Sequence, residues 1–199
     1  ERFNGQPIQE REHPGRIACV MMEPETTVPP APGYLNEVKA LCEQQGAVFV
    51  LDETITGFRW HLNGAQKFHD VVPHLSIFGK AMGNGFAIAA LLGKREIMRL
   101  GGFDHDRDRV FLLSTTHGAE THALAASLET IRIYREQNVV GFLWKQGERL
   151  RSRLNQSIEE NRLNGFCERW GRPCNLVFAT YDAQGKRSQA FRTLFMQEM

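Results

Sequence analysis

Ala47-Val48-Phe49-Val50-Leu51 is an unbroken apolar run that ends on two adjacent acids, Asp52-Glu53, and its reading decides the fold. A run this short, β-branched and stopped abruptly by charge, reads as a strand buried on both faces. Just upstream, Tyr34 to Gly46 places Leu35, Val38, Leu41 and Cys42 at helical spacing, with Gly46 as the stop. Before a Pro-rich loop from Val28 to Gly33, Ile17 to Met22 forms another apolar run, closed by Glu23-Pro24. Strand, helix and strand in this order imply a right-handed crossover and a parallel sheet, which explains why the strands lack alternation. The expected class is therefore α/β.

Downstream, Leu75 to Phe78 reads as a third strand broken by Gly79-Lys80, and Phe86 to Leu92 as a fourth between Gly85 and Gly93. Val110 to Leu113 reads as a fifth, ending in Ser114-Thr115-Thr116. Apolar spacing then predicts helices from Ala119 to Gln137 and from Gly141 to Glu159. A strand pair follows at Gly165 to Trp170 and Asn175 to Tyr181, and Arg192 to Met199 opens a further helix. A domain boundary is expected near residue 140, dividing the chain into 1–140 and 141–199.

Composition narrows the function. The 199 residues are 42% hydrophobic and 24% charged, an ordinary globular balance. The formal net charge is +1 and neither sign forms a block of five or six residues, which argues against a nucleic-acid partner. Apolar runs are too short to span a bilayer, so no membrane association is expected. Cys19, Cys42, Cys167 and Cys174 are scattered without C-x-x-C spacing, a pattern of reduced thiols that points to the cytoplasm.

In open α/β sheets, functional groups collect beyond the carboxyl ends of the strands. Those ends carry Glu23, Asp52, Lys80 and Ser114 with Thr115. Taken singly, each has an ordinary reading: Lys80 as a solvated loop residue, Asp52 as a cap or ion-pair partner, Thr115 as a helix cap. Together they suggest more. Lys80 lies between apolar runs, where it is expected to be desolvated and nucleophilic, and Gly79, Gly83 and Gly85 are expected to admit a flat ligand. A buried amine, a buried carboxylate and hydroxyls at neighbouring strand ends are the parts of a pyridoxal phosphate (PLP) site. The lysine forms the Schiff base, the aspartate keeps the pyridine nitrogen protonated and hydroxyls take the phosphate.

Other motifs fail on position. A phosphate loop ending at Gly79-Lys80 needs glycine and a hydroxyl residue where His74 and Ala81 stand, and a dinucleotide fingerprint from Gly83 meets Ile88. His117 and His122 do not share one helical face and find no third ligand, so no metal site is expected.

Four segments then resemble one family, in its order and with its approximate spacing: Met22-Glu23-Pro24, Leu51 to Arg59, Phe78 to Phe86, and Ser114 to Gly118. They are similar to the class III PLP-dependent aminotransferases, within the glutamate semialdehyde aminomutase-like branch. The resemblance implies a fold-type-I large domain over 1–140, mostly parallel sheet with helices on both faces, and the start of a small α+β C-terminal domain over 141–199. It implies that Lys80 is the Schiff-base lysine and Asp52 the partner of the pyridine nitrogen. It places Thr54 at the ring face, where valine is usual, and Thr115 at the threonine that reaches the cofactor phosphate of the neighbouring subunit. A homodimer with its active site at the subunit interface follows, acting on small amino and carbonyl substrates. Similar enzymes are longer and carry a phosphate cup and a stacking aromatic upstream, so the chain reads as the middle and later part of such an enzyme. Amino transfer between two molecules is the expected activity. Alternatives are intramolecular transfer by an aminomutase and a cofactor-free scaffold module. Arg59 is a candidate carboxylate clamp or a partner of Glu53.

Overall fold

A computed structural model describes residues 15–103, 105–108, 118 and 120–199, which divide into two compact units. The first comprises residues up to 24 together with 30–137, and the second 25–29 with 138–199. The strand read at Val110 to Leu113 and the hydroxyls at Ser114 to Thr116 lie outside the described residues, as does His117.

The first unit is built on a sheet of β1 (Cys19–Met22), β2 (Val48–Asp52), β3 (Leu75–Phe78) and β4 (Ala90–Gly93), in that order. β1, β2 and β3 are parallel, whereas β4 returns antiparallel to β3. β2 is the central apolar strand, with Phe49 and Leu51 fully buried and Val50 nearly so. Between β1 and β2 runs α1 (Tyr34–Gln45), which ends when the Ala47 and Gly46 amides donate to the carbonyls of Cys42 and Glu43. Its Leu35 and Cys42 join Phe49, Leu51 and Val71 in one core, flanked by Val20, Met22 and Val38. Burial of these side chains supplies about 1.5–3 kcal/mol apiece, which is what holds a helix of this length to the sheet.

Two short helices, α2 (Ala65–Phe68) and α3 (Arg95–Met98), occupy connections that the periodicity left unassigned. The expected buried strand from Phe86 to Leu92 is corrected to Ala90–Gly93, with Leu91 and Leu92 exposed. The apolar run is genuine, but its first half is spent on a turn. α4 (Thr121–Gln137) brings Ile131 and Tyr134 onto a second core of Phe58, Phe78 and Met82. Phe58 meets Phe78 and Tyr134 edge-on, with centroids 6.3 Å and 5.4 Å apart, the geometry favoured by ring quadrupoles.

The second unit contains α5 (Val139–Glu160), the antiparallel pair β5 (Cys167–Trp170) and β6 (Val177–Thr180), and α6 (Gln189–Glu198). Asn138 and Ser188 cap the two helices through side-chain oxygens that accept from Gly141 and Phe191 amides. Arg192 stacks 5.0 Å above the Phe178 ring, and the fully buried Glu25 carboxylate is held by Arg172 at 2.7 Å. No helix among the described residues is long and apolar enough to cross a membrane.

Candidate active site

The carboxyl ends of β2 and β3 lie side by side because Asp52 is in register with Ile77. Beyond β2 the chain continues the ladder by one bond, from the Glu53 amide to the Ile77 carbonyl at 2.8 Å, before turning into the 54–64 loop. Successive side chains leave a strand on opposite sides, so the two acids separate. Glu53 goes into the interior and Asp52 remains half-buried.

The buried acid is a structural anchor. Glu53 Oε2 accepts from the Ala65 amide at 2.8 Å and from the Thr56 hydroxyl, while Oε1 accepts from the Gln66 amide at 2.7 Å. These donors offset the cost of burying a carboxylate and satisfy the free amides at the start of α2. Gly64 permits the approach: its φ is +85°, and a Cβ there would sit 2.6 Å from Glu53 Oε1. Glu53 was named from sequence only as a partner for Arg59. Its three donors show a different task, and Arg59 Nη1 donates to the Ile55 carbonyl at 2.6 Å.

Asp52 Oδ1 accepts from the Thr54 amide at 3.0 Å, and among the described residues Oδ2 has no partner. One acceptor is thus committed to holding the loop, and the other is available to a donor such as a protonated pyridine nitrogen. Thr54 in turn accepts at Oγ1 from Lys80 Nζ at 3.3 Å. Asp52, Thr54 and Lys80 are therefore linked through Thr54.

Lys80 opens a single 3-10 turn, Lys80–Met82, directly after β3 and Gly79. Its φ of +46° is rare for a residue with a Cβ, and such conformations concentrate at functional positions. The expectation of a desolvated lysine is corrected: Lys80 is exposed. Its apolar neighbours Phe78 and Met82 point into the aromatic core, while the left-handed turn carries Lys80 the other way, onto an open cavity of about 440 Å³ that Arg59, Asn84 and Phe86 also line. Burial pushes the Tyr134 hydroxyl up from its ordinary range, with the Arg59 charge opposing it, so the phenol beneath this site stays neutral.

The glycines divide in use. A Cβ at Gly83 would lie 2.4 Å from the Phe86 carbonyl oxygen and 2.6 Å from Ile88, so this glycine serves the chain's own turn and leaves no room there for a flat ligand. His122 is exposed and lies 3.3 Å from Glu120 and beside the Phe86 ring. Among the described residues no cluster of His, Cys, Asp and Glu is arranged to hold a metal ion. Thr115 lies outside the described residues.

Comparison with known proteins gives one consistent result. The sequence model of the aminotransferase class-III family matches residues 6–166. A 3-aminobutyryl-CoA aminotransferase from Cloacimonas acidaminovorans (strain Evry) is 39% identical over 132 residues, 66% of this chain and 30% of the relative. A glutamate-1-semialdehyde 2,1-aminomutase from Thermomicrobium roseum is 34% identical over 172 residues, 84% of this chain and 39% of the relative. Among solved structures, the FumI protein of Sphingopyxis sp. MTA144 in its PLP internal aldimine form superposes with a TM-score of 0.76 at 25% identity. That superposition covers 87% of this chain and 41% of the other. N-acetylornithine aminotransferase from Stenotrophomonas maltophilia K279a gives a TM-score of 0.67 at 26% identity, covering 87% of this chain and 44% of the other. The chain thus spans well under half the length of these relatives, and its α/β fold is that of transaminase structures.

Proposed function

The chain belongs to the aminotransferase class-III family, and we propose that the protein it forms is a PLP-dependent aminotransferase, moving an amino group from an amine donor to a carbonyl acceptor. The observation that carries this reading is the linked set of Asp52, Thr54 and Lys80 at the carboxyl ends of adjacent parallel strands. The set fits the cofactor: an exposed amine for its carbonyl, and an open carboxylate oxygen for its ring nitrogen. When bound, PLP supplies an electron sink for the carbon bearing the amino group.

Lys80 Nζ would hold the cofactor through its carbonyl and, as a free amine, would carry the proton to and from the substrate carbon. Asp52 Oδ2 would accept from the pyridine N–H and so keep that nitrogen protonated. Thr54 would stand at the ring face, and the family resemblance assigns Thr115, outside the described residues, to the phosphate of a neighbouring subunit in a cytoplasmic homodimer. The cofactor-binding large domain is assigned to 1–140 and the small domain to 141–199, a division close to the break between residues 137 and 138 apart from the segment 25–29. Identity to glutamate-1-semialdehyde aminomutases over most of this chain supports a second reading, transfer within one molecule by the same residues. A stoichiometric requirement for a separate carbonyl acceptor separates the two.

The test is borohydride reduction after incubation with PLP, followed by peptide mass mapping of the wild-type chain and Lys80→Ala. A reduced adduct on the Lys80 peptide, absent from the variant, is expected. An adduct distributed over other lysines, or none at Lys80, would overturn the reading.

A further inference from the structure

The amine of Lys80 is exposed, yet it has a specific partner. Its Nζ donates to Thr54 Oγ1 at 3.3 Å, across a sequence separation that only the β2–β3 pairing brings together. Thr54 is itself constrained at two points. Its amide donates to Asp52 Oδ1 at 3.0 Å, and its methyl faces Gly79, where a Cβ would lie 3.6 Å from Cγ2. A β-branched side chain has few χ1 options, and here, with the amide tied to Asp52 and the methyl on the Gly79 side, the hydroxyl takes one direction among them. That direction is toward Nζ.

We propose that Thr54 is the positioning residue of Lys80, holding the amine at a fixed place whenever it is free. The inference rests on the reading of Lys80 as the reactive amine and adds what orients it. A long exposed lysine otherwise samples many rotamers, and ordering it costs entropy at each encounter. A neutral amine that gives one N–H to Oγ1 keeps its lone pair for a carbonyl carbon or a proton. The left-handed backbone at Lys80 and the hydroxyl at Thr54 then act together, one setting where the side chain starts and the other where it ends. Because the hydroxyl's own backbone is tied to Asp52, a shift of the acid displaces the amine as well.

Two variants separate the hydroxyl from the shape. Thr54→Val keeps the branched outline and removes the acceptor, whereas Thr54→Ser keeps the acceptor and removes the methyl. The first measurement is the NMR order parameter of Lys80 Cε in the chain without added cofactor. It is expected to fall in Thr54→Val toward that of the exposed Lys67 and to fall less in Thr54→Ser, which keeps the acceptor but frees its rotamer. The second is the rate of borohydride-trapped PLP attachment at Lys80, read from the peptide mass. A decrease of roughly three- to tenfold is expected for Thr54→Val, the worth of one hydrogen bond, with a smaller decrease for Thr54→Ser. Unchanged Lys80 order in Thr54→Val, or equal losses in both variants, would overturn the proposal. If the wild-type chain attaches no PLP at Lys80, the cofactor reading fails, and the order parameter alone still decides whether Thr54 holds the amine.

Discussion

The loop that follows β2 and the turn that follows β3 begin next to each other and are built in opposite ways. From Glu53 to Gln66 the chain closes around a fully buried carboxylate with three donors, and Gly64 leaves no space beside it. From Gly79 to Phe86 the chain turns tightly on itself but presents Lys80, Asn84 and Phe86 to an open cavity. The difference teaches where rigidity and chemistry reside. The interior acid fixes the scaffold, and the Lys80 amine stands on the exposed turn, joined to that scaffold through Thr54.

The strongest way to break this contrast is Glu53→Ala. It strands the Ala65 and Gln66 amides and the Thr56 hydroxyl, and a loss of about 3–5 kcal/mol is expected in urea unfolding. A loss below about 1 kcal/mol would mean that water replaces the carboxylate and the loop is not anchored as described.

His74 sharpens the comparison at the other end of β3. It is nearly buried, and its Nδ1 accepts from the Phe49 amide at 2.8 Å, which requires that nitrogen to be unprotonated. Burial, and then the nearby Lys94 charge, push its pKa below the ordinary 6.5, while the Glu43 carboxylate opposes them. The unfolded chain thus binds the proton more tightly than the folded one. The stability this provides is fully present above pH 6.5 and is lost as pH falls through the folded value. Urea midpoints at about pH 7.5 and about pH 5.5 should differ more in wild type than in His74→Asn, whose amide oxygen accepts without titrating. Equal differences would show that another group controls the acid limb.

The smallest expected effect on folding is that of Lys80→Ala, within about 0.5 kcal/mol, because the side chain buries little and, among the described residues, makes a single exposed hydrogen bond. The same variant should lose cofactor attachment altogether. A large stability loss would make Lys80 part of the scaffold and erase the contrast.

Particular residues show how far the sequence carried this reading. β2 and α1 were legible because an apolar run bounded by acids and a helical stripe bounded by Gly46 have few other solutions. Lys80 and Asp52 stood out as strand-end groups. The surroundings of Lys80 did not, since flanking apolar residues reveal that a turn is anchored and not which way its polar member points. The anchoring role of Glu53 was missed because two of its donors, the Ala65 and Gln66 amides, come from a four-residue helix too short for periodicity to register. The Thr54 hydroxyl gained its meaning only from a contact across the β2–β3 pair, which no local pattern encodes.

The register of β2 against β3, with Asp52 opposite Ile77, also bears on which insertions and deletions the gene can accept. One residue gained or lost within Val48–Asp52 would exchange the sides to which the two neighbouring acids project. The acid with an open oxygen would be driven inward, and the one that holds three donors would be turned out. Frame-preserving length changes should therefore be purged from this strand while the Pro-rich connection at residues 28–33 drifts in length, giving two adjoining stretches of one chain very different evolutionary tempos.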